Sequence, residues 1–219
     1  MTDGAARPRR IILIGLSGTG KSTVGRLVAR RLGWMSGDTD DQIVSLDGRE
    51  IAQIFRDEGE EFFRTIERQS IVQLSSGDHW VIATGGGAVL DPVNRGRLWR
   101  DSFVVHLDTS LDTLVQRITN GNPRRAARPL LAGEDPHRRL AELHAARAPL
   151  YALADWTVQT DGLTKPEVAE TIVGAWEHHS ARLVSRAERM ERVMADLTPR
   201  PPSLAGKGVP RQTAIEQTV

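Results

Sequence analysis

Gly15-Leu16-Ser17-Gly18-Thr19-Gly20-Lys21-Ser22-Thr23 is the stretch on which the reading of this chain turns. A glycine, four residues, then Gly20-Lys21-Ser22 is the spacing of a loop that cradles nucleotide phosphates. Several backbone N–H groups must turn inward on one anion, and residues without Cβ reach those dihedrals cheaply. Lys21 is placed to bring a mobile positive charge to the β- and γ-phosphates, and the Ser22 hydroxyl to bind Mg2+. The same pattern also arises as a glycine-rich turn with no ligand, so its surroundings decide. Ile11 to Ile14, just before it, is an uninterrupted apolar run suited to a buried parallel strand. After it, Val24, Leu27, Val28 and Leu32 recur at helical spacing, with Arg26, Arg30 and Arg31 on the polar face and Gly33 as the stop. Strand, loop and helix come in the order phosphate binding needs, and the helix adds the positive end of its dipole.

The rest of the composition narrows the class. At 219 residues the chain is long enough for one domain with a substantial core and some surplus. Its 29 basic and 28 acidic residues leave it close to neutral, which argues against general attraction to nucleic acid or membrane. With no cysteine there is no disulfide or thiol metal site, as suits a reducing cytoplasm. No apolar segment approaches the roughly 20 residues that span a bilayer. Met1 to Arg10 is polar and basic and lacks the apolar centre of a signal peptide. A cytoplasmic protein is expected.

Further strand-like runs lie at Trp80 to Ala83, Phe103 to Leu107 and Trp156 to Val158, with a weaker one at Met35 to Gly37. Helical patterns separate them, the alternation of a parallel sheet covered on both faces. Ile43, Val44 and Leu46 precede the turn Asp47-Gly48. Asp47 followed by Glu50 resembles an N-terminal cap for a helix bearing Ile51, Ile54 and Phe55, which Gly59 breaks. A second helix carries Phe62, Phe63, Ile66, Ile71 and Leu74; core packing explains most of these, while Phe55 and Phe63 are also placed to wall a pocket. Thr84-Gly85-Gly86-Gly87-Ala88 follows a strand directly, so its backbone either approaches a ligand closely or turns tightly into the next helix. A loop at about 120–136, rich in Gly, Pro and Arg, is either a lid over phosphates or a solvated surface loop. It lies between a helix with Leu111, Leu114, Val115 and Ile118 and a longer one from about His137 to Ala154. A final helix is expected from Lys165 to about Arg192, and Thr198 to Gly208 has the composition of a disordered tail.

The phosphate loop implies ATP or GTP and leaves the acceptor open. The chain resembles shikimate kinase from about Arg10 to about Trp176, in order and with near-family spacing. The shared motifs are Gly15 to Thr23, Asp38-Thr39-Asp40, Phe63-Arg64 with Glu67, Gly85-Gly86-Gly87, Arg128-Pro129-Leu130-Leu131 and Arg147-Ala148-Pro149-Leu150-Tyr151. Each is weak outside the phosphate loop; together in register they are specific. The resemblance implies a three-layer α/β/α P-loop kinase fold with a mostly five-stranded parallel sheet and a mobile lid. It implies transfer of the ATP γ-phosphoryl group to the shikimate 3-hydroxyl, in the pathway to chorismate and the aromatic amino acids. Small-molecule substrates, no nucleic-acid or membrane partner and a monomer are expected. The expected organisation is a flexible N-terminus at 1–9, the kinase domain at 10–182, and a helical extension with disordered tail at 183–219.

Residue roles follow from the same resemblance. Gly18, Thr19, Gly20, Lys21, Ser22 and Thr23 would hold ATP, and Ser22 and Asp38 one Mg2+ per subunit. Asp40 looks like the group that orients the acceptor hydroxyl and takes its proton, with Lys21 and Arg128 as its catalytic partners. Arg64 and Arg147 are similar to the arginines that clamp the shikimate carboxylate, which a planar fork of donors matches bidentately. Glu67, three residues after Arg64 on the same helical face, would fix that guanidinium; an exposed helical salt bridge is the plainer reading of the pair. Gly85, Gly86 and Gly87 would meet the substrate and the transferring group through backbone N–H groups. Arg128 resembles the lid arginine that reaches the phosphates, Arg117 the one that stacks on adenine, and Gln159 to Pro166 the adenine loop. Lid closure would exclude water.

Three departures from the family pattern stand out. The lid between Arg117 and Arg128 is lengthened by Pro123-Arg124-Arg125, Ser36-Gly37 replaces apolar residues so that the second strand is expected short or frayed, and the tail after about Arg182 has no counterpart. The competing readings are another small-molecule kinase such as a gluconate kinase, which would not need Arg64 and Arg147 aimed at one carboxylate, and a nucleotide-binding protein that has lost catalysis. The second would carry damage at Lys21, Asp38, Asp40 or Arg128, and all four are intact. A metalloenzyme is disfavoured because the six histidines show no ligand spacing.

Overall fold

Strand β1 (Arg10–Ile14) is buried along its whole length because it lies in the middle of the sheet. It pairs in parallel with β3 (Trp80–Ala83) on one side and β4 (Ser102–Asp108) on the other, which sets Ile12 level with Ile82 and Val104. β2 (Met35–Asp38) adds outside β3 and β5 (Trp156–Gln159) outside β4, so the order is β2-β3-β1-β4-β5, all parallel. Strands covered on both faces read as continuous apolar runs, which is why Ile11 to Ile14 shows no alternation. The structure is a computed structural model that describes residues 8–119 and 135–178.

Helices α1 (Lys21–Leu32) and α8 (Lys165–His178) cover one face, where Val24, Val28, Val168 and Ile172 meet Ile11, Leu13, Val81 and Val105. On the other face lie α4 (Gly59–Leu74), α5 (Pro92–Trp99), α6 (Leu111–Thr119) and α7 (Pro136–Tyr151). They set Ile71, Leu98, Leu114, Leu140 and Tyr151 on Ile12, Ile14, Ile82 and Val104. This is the three-layer α/β/α arrangement. A third, smaller cluster of Ile43, Ile54, Phe63 and Ile66 joins α2 (Thr39–Asp47) and α3 (Ile51–Asp57) to α4. The Phe55 and Phe63 rings meet there at 4.5 Å with their planes tilted by 32°, so both serve this small core.

Several local expectations change. Residues 39–47 form a helix, although only scattered apolar positions were legible there. Asp47 ends that helix and pairs with Arg49 at 2.6 Å, so it does not cap α3, whose N-cap Glu50 makes no side-chain cap. β2 is short but fully paired with β3. Its Gly37 has a reason: an added Cβ would stand 2.6 Å from Leu74 Cδ2 and 3.2 Å from Trp80 Cζ3, so the bare backbone lets those side chains fold over the sheet edge.

At the chain's beginning, Pro8 and Arg9 are bonded to the body of the fold. The Trp176 indole donates to Pro8 O at 3.1 Å, and Arg9 exchanges backbone bonds with Asp101 and His79. Asp135 caps α7, which Pro136 opens, so the helix starts one residue inside the segment expected as lid. The remainder of that segment with Arg128, the expected helix beyond His178 and the C-terminal tail lie outside the described residues.

Candidate active site

The phosphate loop, Asp38-Thr39-Asp40 and Gly85-Gly86-Gly87 lie at the C-terminal ends of β1, β2 and β3, the side of such a sheet where ligands bind. Gly15 leaves β1 with φ +139°, and a Cβ on it would lie 2.6 Å from Leu107 O, the backbone of the neighbouring strand. No other residue fits. Gly18 and Gly20 also have positive φ, and Gly20 is the N-cap of α1. That helix start has neither a side-chain cap nor an acidic residue in its first turn, so its orphan N–H groups and dipole would meet an anion unopposed. Ser22 and Thr23 occupy that turn. Lys21 folds back across the loop, its Nζ donating to Gly15 O at 2.9 Å and Leu16 O at 2.7 Å, while Thr19 Oγ1 donates to Leu16 O. From α6, Arg117 Nη1 donates to Gly18 O at 3.3 Å, which sets that helix beside the loop.

Asp38 ends β2 and caps α2 by accepting from Asp40 N at 2.9 Å. Asp40 then faces the triple glycine after β3: a Cβ on Gly85 would lie 2.8 Å from Asp40 Oδ1 and 3.4 Å from Glu67 Oε1. A Cβ on Gly86 would lie 3.3 Å from Arg147 Nη1, and one on Gly87 2.9 Å from both Nη1 and Nη2 of Arg64. The two arginines, distant in sequence, thus converge on three consecutive residues beside Asp40. Gly86 is also the point of contact with the phosphate loop, since the same added atom would be 3.5 Å from Gly15 O and Ser17 N.

One expected role changes. The Gly85 N–H is committed to Thr39 Oγ1 at 2.7 Å, so Gly85 is required for space against Asp40 and is not a free donor.

The charges are set by unequal partners. Arg64 donates to Glu67 at 2.8 Å and Glu60 at 3.0 Å, and its guanidinium lies 5.2 Å from the Phe63 ring centre. Burial opposes its charge, but these two carboxylates outweigh burial and hold it more firmly protonated than a free arginine. Glu67 is nearly inaccessible; burial, with Asp40 and Asp91 nearby, lifts its carboxyl above the usual range despite Arg64. Arg147 is buried too, and among the described residues it forms no ion pair with a carboxylate. Its neighbour is the Tyr151 phenol, which burial pushes up in pKa against the pull of Arg147. A buried guanidinium without an acidic partner favours an anionic ligand.

Behind these groups, Tyr151 donates to Gly86 O at 3.2 Å and stacks on His106 at 4.6 Å. His106 Cδ2 would in turn lie 3.5 Å from a Cβ on Gly15. His106 was not legible as part of the site, because a histidine inside an apolar strand run carries no motif. Near the expected adenine loop, Asp161 accepts from Ser110 N at 2.8 Å and Thr113 Oγ1 at 2.6 Å, strapping that loop to the start of α6.

The sequence model of the shikimate kinase family matches residues 17–177. The chain belongs to the shikimate kinase family. A shikimate kinase of Thermodesulfovibrio yellowstonii is 42% identical over 172 residues, 78% of this chain and 97% of that protein. One of Streptomyces avermitilis is 47% identical over 169 residues, 77% of this chain and 95% of that protein. Among solved structures, shikimate kinase from Acinetobacter baumannii in complex with shikimate is 35% identical, with TM-score 0.74 over 80% of this chain and 96% of that one. The Aquifex aeolicus enzyme is 30% identical with TM-score 0.67, over 78% and 98%. Like its family, the protein is an ATP-dependent kinase of shikimate in aromatic biosynthesis. Among the described residues no helix is long and apolar enough to cross a membrane.

Proposed function

We propose that the protein transfers the γ-phosphoryl group of ATP to the 3-hydroxyl of shikimate, with Arg64 and Arg147 holding the shikimate carboxylate and Asp40 facing the hydroxyl. The observation that carries this reading is the convergence of both guanidinium groups and Asp40 on Gly85 to Gly87, directly against the phosphate loop. Charge supports it as well. Arg147 is a buried cation with no carboxylate ion pair among the described residues, while Arg64 is held in shape by Glu60 and Glu67 and still presents its Nη atoms to Gly87.

The 3-oxygen attacks the γ-phosphorus as the bond from that phosphorus to the β–γ bridging oxygen breaks, and ADP leaves with the electron pair. The hydroxyl proton passes to the Asp40 carboxylate and from there to solvent. The phosphate loop and the start of α1 hold the β- and γ-phosphates, with Lys21 moving its ammonium from Gly15 O and Leu16 O to the phosphate oxygens. Arg117 lies beside adenine; Arg128, expected to act on the phosphates, lies outside the described residues. Gly86 and Gly87 offer the remaining backbone N–H groups to the acceptor.

A hydroxyl at Ser22 and a carboxylate at Asp38 are hard oxygen donors that suit Mg2+, an ion that keeps several waters and takes phosphate oxygens, so it needs few protein ligands. When bound, Mg2+ would neutralise charge on the phosphates. We place the protein in the cytoplasm as a monomer that acts on small molecules.

Calorimetric titration separates the two halves of the site. Arg64→Ala and Arg147→Ala should each weaken shikimate binding by about tenfold to a hundredfold, the worth of a hydrogen bond to a charged group, and leave ATP affinity within about twofold. An equal loss for the nucleotide would place these arginines wrongly. Phosphorus–proton NMR of the product should show the phosphate coupled to the proton on C3, and coupling at another ring carbon would refute the regiochemistry.

A further inference from the structure

Thr39 stands between the two aspartates of Asp38-Thr39-Asp40, and its side chain is fully buried although both neighbours belong to an open site. It opens α2, and its hydroxyl does not cap its own helix. That hydroxyl reaches across 46 positions of sequence to accept the Gly85 amide at 2.7 Å. Its carbonyl oxygen accepts from Ser70 Oγ at 3.2 Å, and Ser70 lies on α4, the helix that carries Arg64 and Glu67. One residue therefore joins the three elements of the acceptor side: the aspartate turn, the glycine loop and the arginine helix.

The bond has a geometric consequence. Gly85 faces Asp40 so closely that an added Cβ would stand 2.8 Å from Asp40 Oδ1, with Thr39 Oγ1 itself 3.7 Å away. Fixing the Gly85 amide therefore fixes the distance between the Asp40 carboxylate and the loop on which both guanidinium groups converge. We infer that Thr39 is a positioning residue for phosphoryl transfer: it holds the Gly85 backbone against Asp40 so that this carboxylate meets the acceptor hydroxyl. The inference rests on the reading of Asp40 as the group facing that hydroxyl. Positioning matters at this scale because small misplacements of a reacting group lower the rate steeply.

Thr39→Val keeps the shape and removes the acceptor, leaving the part-buried Gly85 N–H without its partner. It should lower kcat by about tenfold to a hundredfold with KM for ATP unchanged, and Thr39→Ser, which restores the hydroxyl, should recover kcat to within about threefold of the original. In an Asp40→Asn background the valine substitution should cost little further, because both changes disable the same group. Thr39→Ser, which keeps the bond and changes only a methyl, remains informative if the valine variant does not fold; its near-normal kcat supports the inference and a severe loss overturns it. A Thr39→Val enzyme with unaltered kcat overturns it too, as does an effect in the Asp40→Asn background equal to that in the original. The underlying reading fails separately, if Asp40→Asn alone leaves kcat intact.

Discussion

His106 sits where its charge matters for both halves of the site, stacked on Tyr151 and close under Gly15. Burial, aided by His144 and Lys21 and opposed by Asp108, lowers its pKa from 6.5 to about 4. The folded protein therefore keeps the ring neutral at pH values where the unfolded chain protonates it. Stability from this residue is complete above about pH 6.5 and drains away as the pH falls towards 4, by roughly 1.4 kcal/mol per pH unit. His106→Phe keeps a ring against Tyr151 and removes the titration. Urea unfolding between pH 6.5 and 4.5 should show a shallower fall in stability for the variant, and parallel curves would contradict the burial argument. At this scale the sequence offered motifs at Lys21 and Asp40, and the family resemblance singled out Arg64 and Arg147. It was silent on Thr39, Glu60 and His106, whose importance comes from neighbours brought close only by folding.

At the scale of elements, β1, its phosphate loop and α1 form the unit that sequence spacing describes best. Local dihedrals and one strand-to-strand contact determine it. Gly15→Ala adds a Cβ 2.6 Å from a backbone oxygen that cannot move without breaking β4, at φ +139°. It should cost roughly 2–4 kcal/mol and abolish measurable ATP binding. Gly37→Ala meets only the Leu74 and Trp80 side chains, which can shift, so about 1 kcal/mol is expected with kcat unchanged. Thermal melts of the two variants side by side test this order, and a reversal would show that the backbone contact is softer than argued. Residues 39–47 were harder to read, because Asp38-Thr39-Asp40 followed by Ile43, Val44 and Leu46 is a weak helical pattern. Tertiary support decides it: Ile43 is buried with Ile54, Phe63 and Ile66, and Thr39 is fixed to Gly85 and Ser70. Asp47 misled for a similar reason, since Arg49, two residues on, captures the carboxylate that would otherwise cap α3.

For the whole molecule, the parallel sheet with helices on both faces followed from the alternation of apolar runs with helical patterns. Its strand order did not, because pairing across the sheet leaves no mark in local periodicity. The core closes with α8, where Trp176 bonds to Pro8 and packs edge-on to Trp34 at 5.0 Å, and the family match ends at residue 177. Removal of residues 183–219 should therefore leave kcat and both KM values within about twofold, and a large loss in steady-state assays would assign the tail a role in catalysis. The account as a whole depends on a cleft in which Arg64 and Arg147 select a ring acid for a phosphate held by Gly15 to Thr23. Its most direct measurement is ADP release from Mg-ATP with shikimate, quinate and gluconate offered one at a time. Release at least about a hundredfold faster with shikimate is the predicted result. Comparable release with all three acids, or none with shikimate, would contradict it.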